Sequence, residues 1–324
     1  MYPADVSQGR PLDVFMAHMD VVFSDETELP LRVEDGRIYC PGVGDDTACL
    51  VCLLLAGKYI ARHVDSPSWR EIRGEDAPGL LLVCNAGEEG LGNLKGVRKI
   101  CEDYGGRIKS FCTFDSSLSS IVDRAVGSKR FRVKVRTRGG HSYNDFGNDN
   151  AIAGLASLVG KLYKIQVPEG GKTTYNVGMI SGGTSVNTIA QEAEMLYEFR
   201  SDKRENLEYM ERQFMEVLDR AKAEGMDVSF QVIGVRPCEG QVDPAQKQAL
   251  TDWAHRVVEE MTGQAPKHHA GSTDCNIPLS LGIPSVCVGS FRGAGAHTRE
   301  EYVETDSLEE GYKVAFGMIF GRRD

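Results

Sequence analysis

Five side chains that can ligate metal ions lie beside apolar segments or glycine-rich turns of this sequence. His18 follows the apolar run PLDVFMA, Glu89 follows GLLLVCN, and Asp115 follows KSFCTF. Asp45 lies in a glycine-rich turn before a helical pattern, and His297 lies in the segment GAGAHT. Ligands bind at the carboxyl ends of the strands in open α/β sheets, so we expect these side chains to converge. Two imidazoles and three carboxylates form a mixed nitrogen and oxygen set that suits a pair of zinc or similar divalent ions.

Each of these residues also has a plain structural interpretation when it is considered alone. Asp45 precedes a helix, where exposed N–H groups and the helix dipole favour an acidic cap. His18 and Asp20 lie on one side of a strand by alternation, either as a simple hydrogen-bonded pair or with Asp20 orienting a metal-bound imidazole. Glu88 and Glu89 either belong to a solvent-exposed loop or form a pair whose mutual repulsion is relieved by a bound cation. The recurrence of such groups after successive apolar strands favours one shared site.

The elements that carry these residues predict an α/β fold. Apolar strands alternate with helical patterns over residues 12–124, which indicates a mostly parallel sheet covered by helices on both faces. The same pattern returns after residue 237, with helices expected at 245–262 and 307–320 and an apolar strand at 285–289.

The middle of the chain has a different pattern. The segment RFRVKVRTR (130–138) alternates between apolar or small and basic residues, which predicts a strand with one exposed face. The order strand, helix, strand, strand, helix, strand up to residue 235 is that of a ferredoxin-like α+β domain. We therefore predict a discontinuous α/β catalytic domain of residues 1–126 and 236–324, interrupted by an α+β domain of residues 127–235.

Composition excludes several classes of function. The formal net charge of the 324-residue chain is -10, which argues against nucleic acid as a partner because a phosphate backbone prefers a basic surface. The nine cysteines lack the spacing of a zinc knuckle and the density of a secreted scaffold, so we interpret them as buried thiols. No apolar stretch reaches the roughly 18–20 residues of a membrane helix, which predicts a cytoplasmic protein without membrane contact.

Eight short phrases, in order along almost the whole chain, carry a resemblance to a known family. The sequence resembles the two-zinc metallopeptidases of the peptidase T, carboxypeptidase G and aminoacylase type, and most closely the peptidase T-like branch. The phrases are AHMDVV (17–22), GVGDDTA (42–48), NAGEEGLG (85–92), GGHS (139–142), GGTSVNTI (182–189), EFRSD (198–202), GSTDCN (271–276) and GAHTREEYV (295–303).

This resemblance implies a metal-binding role for each of the five residues. Asp45 would bridge two divalent metal ions, zinc in the first place with manganese or cobalt as alternatives. His18 and Asp115 would complete one site, and Glu89 and His297 the other. The fold implied is that of a zinc exopeptidase interrupted by a lid or dimerisation domain.

The resemblance also implies catalytic and substrate-binding roles for residues outside the ligand set. Glu88 would be the general base that deprotonates the bridging water, with Asp20 as a supporting carboxylate. His141 would reach the active site of the partner subunit in a homodimer and stabilise the oxyanion. Four further residues would contact the substrate, Arg200 by gripping a peptide carboxylate: Asn187, Arg200, Gly271 and Ser272.

Asp115 bears on specificity, because the aminopeptidase branches of the family tend to have Asp there and the carboxypeptidase and deacylase branches Glu. The function expected is therefore hydrolysis of di- and tripeptides from the amino end. The alternatives are a carboxypeptidase or N-acyl-amino-acid amidohydrolase with the same centre, and a non-catalytic metal-binding or peptide-binding relative.

Two departures from the family pattern lie outside the ligand set. Relatives carry several dozen residues before the first histidine, whereas His18 follows only 17 residues here. Either this branch lacks the helix that packs there in relatives, which would uncover an apolar patch, or the chain begins at an internal start. Thr47 also replaces a lysine that many relatives have two residues after the bridging aspartate.

Overall fold

The computed structural model describes residues 9–23, 28–64, 66 and 77–321. Contacts divide the chain into two compact units, a first unit of Met1–Ala125 with Glu239–Asp324 and a second unit of Val126–Cys238. The second boundary lies beyond the predicted residue 235, because the Cys238 thiol donates a hydrogen bond to the Ser201 carbonyl at 3.4 Å. This contact keeps the end of the last strand with the second unit.

The described residues form sixteen strands and seven helices. The strands are β1 (Leu12–His18), β2 (Arg32–Glu34), β3 (Arg37–Tyr39), β4 (Gly79–Asn85), β5 (Ile108–Phe114), β6 (Ser120–Ala125), β7 (Gly127–Arg136), β8 (Gly140–His141), β9 (Thr173–Gly182), β10 (Thr188–Ile189), β11 (Glu192–Ser201), β12 (Asp227–Arg236), β13 (Lys267–Gly271), β14 (Ser285–Val288), β15 (Gly293–Ala294) and β16 (Tyr302–Glu304). The helices are α1 (Cys49–His63), α2 (Lys95–Tyr104), α3 (Ala151–Leu162), α4 (Arg204–Ala223), α5 (Pro244–Thr262), α6 (Asn276–Ser280) and α7 (Ser307–Phe320).

The first unit contains a six-stranded sheet in the order β13-β6-β14-β5-β1-β4. Strand β1 pairs in parallel with both β4 and β5, and β14 pairs in parallel with β5. Strand β6 runs antiparallel to β14. The predicted α/β class with a mostly parallel sheet is therefore confirmed.

Strand β1 is buried along its whole length because helices cover both faces of the sheet. Phe15 and Ala17 belong to one apolar cluster with helices α1, α5 and α7, whereas Val14 and Met16 belong to another with α2 and α6. Alternation along the strand sends successive side chains to these two cores. A buried strand of this kind holds the residue at its carboxyl end, His18, in a well-defined position.

A smaller antiparallel sheet, in the order β15-β16-β3-β2, lies in the same unit. Strands β15 and β16 pair with each other, and β16 also pairs with β3 through Tyr302 and Tyr39. The segment between β15 and β16 carries His297 and Glu301. This sheet therefore anchors both ends of the loop that contains the second histidine of the predicted ligand set.

The second unit is an antiparallel sheet in the order β12-β7-β11-β9 with helices α3 and α4 packed on one face. The element order β7, α3, β9, β11, α4, β12 agrees with the predicted α+β arrangement. Phe131 of β7 packs on Phe214 of α4, with ring centroids 4.2 Å apart. Basic residues of β7 face glutamates of β11 across the sheet, as in the pair Arg130 and Glu198.

Helix α1 buries one side and exposes apolar side chains on another. Leu53 and Ala56 lie in the core, whereas Val51, Leu54 and Leu55 are exposed. The exposed side of α1 therefore carries apolar side chains. Within the described ranges, every helix is too short or too polar to cross a lipid bilayer.

Candidate metal centre

His18 is buried at the carboxyl end of β1, and both of its ring nitrogens have partners. Its Nδ1 atom lies 2.9 Å from the carbonyl oxygen of Asp20, and its Nε2 atom lies 3.0 Å from Oδ1 of Asp45. A carbonyl oxygen only accepts hydrogen bonds, so Nδ1 carries a proton. This arrangement directs Nε2 toward Asp45 as the atom available to a metal ion.

Asp45 lies between two histidines. Its Oδ1 atom faces His18, and its Oδ2 atom lies 3.0 Å from Nε2 of His297. The residue belongs to the irregular turn Val43–Ala48 before α1, and its side chain makes no capping hydrogen bond to the helix. The interpretation as a helix cap is therefore wrong. One carboxylate between two imidazoles has the placement that a bridging metal ligand requires.

Glu88 and Glu89 lie in the loop after β4, and Asp20 holds that loop. The Asp20 carboxylate accepts hydrogen bonds from the backbone N–H groups of Gly87, Glu88 and Glu89 at 2.8, 3.3 and 2.9 Å. Hydrogen bonds to charged groups contribute about 1.5–3 kcal/mol each, so three of them constrain the loop strongly. The Asp20 carboxylate itself is 3.7 Å from the His18 ring, which the Asp20 carbonyl orients instead.

The ligand atoms fall into overlapping groups whose members lie within 4.8 Å of one another. One group contains Asp45, Glu89 and His297, and Oε1 of Glu89 lies 3.0 Å from Nε2 of His297. Another contains His18, Asp46 and Asp115, and a third contains His18, Glu88 and Glu89. The structure thus brings together all five residues of the predicted ligand set together with Glu88.

Asp46 belongs to one of these groups, although the sequence did not predict it as a metal ligand or a catalytic residue. Its Oδ2 atom accepts a hydrogen bond from the backbone N–H of His18 at 2.8 Å, and the residue is buried. The adjacent pair of aspartates in the turn was a signal, but spacing alone did not show that Asp46 points toward β1. Asp46 ties the turn that carries Asp45 to the strand that carries His18.

Burial and neighbouring charges shift the pKa values at this site. Burial lowers the pKa of His18, but its bond to Asp45 and the surrounding carboxylates outweigh burial and raise the pKa to about 11. Burial and then the charges of Asp45 and Glu88 raise the pKa of Glu89 to about 7. Burial and neighbouring carboxylates raise the pKa of Asp115 well above its usual range. The donor set is mixed nitrogen and oxygen with crowded carboxylates, and it therefore fits two divalent cations.

These shifts predict how pH acts on the metal-free protein. His18 and Glu89 bind protons more tightly in the folded state, so folding stability should fall as pH rises through about 4.5–7 for Glu89 and about 6.5–11 for His18. Metal binding displaces those protons and becomes stronger over the same range. We expect the rise in melting temperature caused by zinc to be larger at pH 8 than at pH 6. Thermal denaturation with and without zinc at both pH values measures this, and an equal rise would contradict it.

In the second unit, His141 lies on β8, and Asn187 directly precedes β10, the strand that pairs with β8. Nδ1 of His141 accepts from the backbone N–H groups of Tyr143 and Asn144 at 3.2 and 3.4 Å. The neutral ring therefore carries its proton on Nε2, which is a hydrogen-bond donor. The carbonyl of Asn187 accepts from the N–H of Ser142 at 2.9 Å, which links the two segments.

Arg200 of β11 has a carboxylate partner within its own strand. Its Nε and Nη2 atoms donate to the two carboxylate oxygens of Glu198 at 2.8 and 3.1 Å. Arg130 donates to the same glutamate at 3.2 Å. One edge of the Arg200 guanidinium is thus engaged by Glu198.

Gly271 is the last residue of β13 in the first unit, and Ser272 follows it. A Cβ atom at Gly271 would lie 2.8 Å from a methyl group of Val122, so glycine permits the close packing of β13 on β6. Three residues later, Asp274 accepts a hydrogen bond from the side chain of Asn85 at 2.6 Å. The segment after Gly271 therefore reaches the end of β4, where the Glu88–Glu89 loop begins.

A model of the peptidase family M20/M25/M40 matches residues 14–320. The chain belongs to this family. It is accordingly a hydrolase of peptide or amide bonds, and the predicted resemblance is confirmed. Members of the family typically bind two metal ions, in agreement with the clustered His, Asp and Glu side chains.

Three similar proteins illustrate the range of this family. Acetylornithine deacetylase of Myxococcus xanthus is 25% identical over 313 residues, which cover 93% of this chain and 77% of that protein. The structure of aminopeptidase PepT from Bacillus cereus has a TM-score of 0.68 at 22% identity, and that of a tripeptidase from Staphylococcus aureus has 0.70 at 23%. Both structural matches cover 96% of this chain and 80% of the other, and they establish the shared fold.

Proposed function

We propose that this chain hydrolyses a peptide bond in di- and tripeptides from the amino end, at a centre of two divalent metal ions. The observation that carries the proposal is the Asp45 carboxylate, which has one oxygen 3.0 Å from His18 and the other 3.0 Å from His297. Asp115 and Glu89 would complete the two sites. Zinc suits this set of ligands, with manganese or cobalt as alternatives.

Glu88 is the general base in this proposal. It is buried and groups with His18 and Glu89, while the bond from its backbone N–H to Asp20 fixes its position. The metal ions, when bound, lower the pKa of water and polarise the scissile carbonyl. The Glu88 carboxylate accepts the proton released by the attacking water and transfers it to the leaving amine.

His141 stabilises the developing oxyanion from the partner subunit of a homodimer. Its Nε2–H group is suited to donate to such an oxygen. Support for a dimer comes from β9, the outer strand of its sheet, where Met179 and Ile180 are exposed. A monomeric mass in solution would contradict this part of the proposal.

Arg200 binds the substrate carboxylate and Asn187 helps to position the substrate. The bidentate contact with Glu198 restricts the Arg200 guanidinium, so it loses less conformational freedom when an anion binds to its remaining N–H groups. We place Gly271 and Ser272 along the substrate pocket, because their segment continues to the end of β4 through Asp274.

A cavity of about 300 Å³ beside the ligand cluster is the proposed pocket for a substrate side chain. Asp45 and Asp115 line this cavity together with Phe291, Ser116 and residues 293–296. The lining contains more apolar than polar surface, so we expect a preference for small or medium apolar side chains.

Two observations favour different substrates within this reaction class. Asp115 favours the aminopeptidase branch, and the similar structures include an aminopeptidase and a tripeptidase. The similarity to acetylornithine deacetylase favours the second candidate, an N-acyl-amino-acid amidohydrolase with the same centre. A carboxypeptidase also remains an alternative, because the same two metal ions serve all three reactions.

A panel of matched peptides tests the proposal. We expect the zinc-loaded protein to cleave free di- and tripeptides such as Leu-Gly-Gly and to leave their N-acetylated forms intact. Preferential cleavage of N-acyl amino acids would identify the amidohydrolase, and release of C-terminal residues from N-blocked peptides would identify a carboxypeptidase. Bound metal without turnover of any substrate would indicate a non-catalytic relative.

A further inference from the structure

Glu301 is a buried carboxylate, only 2% exposed, that contacts the turn carrying Asp45. Its Oε2 atom accepts a hydrogen bond from the backbone N–H of Gly42 at 2.7 Å. Its Oε1 atom accepts from the N–H groups of Gly44 and Asp45 at 2.8 and 2.9 Å. Three backbone donors of one turn are thus satisfied by a single side chain more than 250 residues away in the sequence.

Phe291 also packs against the turn. A Cβ atom at Gly44 would lie 2.7 Å from the Phe291 ring and 3.3 Å from Oε1 of Glu301, so this position has room only for glycine. Bonds from N–H groups to an ionised carboxylate are shorter and stronger than bonds between neutral groups. Loss of the carboxylate would leave buried donors without partners, which favours a different backbone conformation of the turn.

Glu301 is itself held in place by the small sheet. The N–H of Cys40 donates to its carbonyl at 3.1 Å, and strand β16 begins at the next residue and pairs with β3. His297 lies four residues earlier in the same loop. The Glu301 backbone therefore belongs to the segment that presents His297, while its side chain holds the turn that presents Asp45.

We propose that Glu301 is a positioning residue that sets the bridging orientation of Asp45 and couples it to His297. This inference rests on the proposed metal centre. Glu301 bonds the backbone N–H of Asp45, the residue whose carboxylate lies between the two histidines. Asp20 holds the Glu88–Glu89 loop through three N–H groups in the same manner. The turn with Asp45 and the loop with Glu88 and Glu89 are thus each fixed by a separate carboxylate.

Glu301 acts through Asp45 and is not a metal ligand in this proposal. Both of its oxygens are directed at backbone donors, and none of the three ligand groups found among the described residues includes it. A purely structural role would lower stability without a selective effect on metal binding. A positioning role instead weakens the metal sites in protein that remains folded, as loss of residues behind metal ligands commonly does by about 10–100-fold.

The test compares metal binding by Glu301→Ala and Glu301→Gln with that of the unaltered chain. Zinc affinity is measured by competition with a chelator, and the cobalt-loaded proteins are compared by absorption spectroscopy. We expect zinc affinity to fall about 10–100-fold in Glu301→Ala, with an altered cobalt spectrum. Glu301→Gln should also bind more weakly, because the amide nitrogen is a donor that would face a backbone donor of the turn.

Asp13→Asn is the matched control. Asp13 is also a buried carboxylate, and it accepts a hydrogen bond from the Ser110 hydroxyl at 2.5 Å near the amino-terminal end of β1. We expect this variant to lose stability but to keep the zinc affinity and cobalt spectrum of the unaltered chain. Glu300→Ala, at an exposed neighbouring position, controls for the loss of one negative charge.

Two results would overturn the inference, and they are distinguishable. Unchanged zinc affinity and cobalt spectrum in folded Glu301→Ala or Glu301→Gln would overturn the positioning role and leave the metal centre intact. Failure of the unaltered chain to bind divalent metal would overturn the proposed function together with the role of Glu301. Using two variants keeps the test decisive if alanine prevents folding.

Discussion

Replacement of Glu88 with alanine or glutamine is expected to reduce kcat on a cleaved peptide by about 10²–10⁴-fold, the usual contribution of general acid–base catalysis. Neither side chain can take a proton from water and pass it to the leaving amine. The change leaves the proposed ligands Asp45 and His297 in place, so both metal ions should remain bound. Steady-state kinetics together with the metal content per chain measure these two effects separately.

Glu309→Gln is the control for this experiment, because Glu309 is exposed on α7 and pairs with Lys313 at 2.7 Å. It should have normal kcat. Normal turnover by Glu88→Ala would exclude Glu88 as the base. A loss of bound metal in Glu88→Gln would instead show that Glu88 is a metal ligand. Its grouping with His18 and Glu89 is the reason to measure the metal content of this variant.

Replacement of Asp45 with alanine is expected to abolish activity by disrupting both metal sites at once. The carboxylate contacts His18 through one oxygen and His297 through the other, so its loss removes an anionic ligand from each side. Residues behind metal ligands commonly change metal affinity by about 10–100-fold, and we expect a bridging ligand to exceed that range. Metal content after dialysis and zinc affinity by chelator competition give the measurement.

The control for Asp45→Ala is Asp306→Ala, which removes an exposed carboxylate of the same unit near α7. That variant should retain two metal ions per chain. If Asp45→Ala also retained two ions with ordinary affinity, Asp45 would not be the bridge and the proposed mechanism would lose its central ligand. Loss of one ion only would show that the two sites form independently.

The effects of Glu301→Ala and Asp45→Ala on metal affinity should differ in size. Glu301→Ala leaves the Asp45 carboxylate in the chain but releases the turn that orients it, so its effect on metal affinity should be smaller than that of Asp45→Ala. In the double variant the two losses should not add, because Glu301 acts through Asp45. This comparison separates a positioning residue from a direct ligand.

Local patterns of the sequence predicted the class of fold and the convergence of most of the proposed ligands. Continuous apolar runs such as GLLLVCN require strands covered on both faces, and strands of that kind in a parallel sheet end at one edge. His18, Glu89 and Asp115 follow three such strands, so their convergence was predictable from strand ends alone. Alternation in RFRVKVRTR likewise predicted the half-exposed sheet of the second unit.

Only the tertiary structure decided which partners these side chains have. The sequence left Asp45 equally suited to cap α1, and it paired the Asp20 carboxylate with His18. In the structure Asp45 faces both histidines. The Asp20 carboxylate accepts hydrogen bonds from three N–H groups of the loop after β4. The sequence did not predict a role at the site for Asp46 or Glu301. Hydrogen bonds across 28 to 259 residues depend on how the strands and the small sheet pack, whereas periodicity reports only local burial.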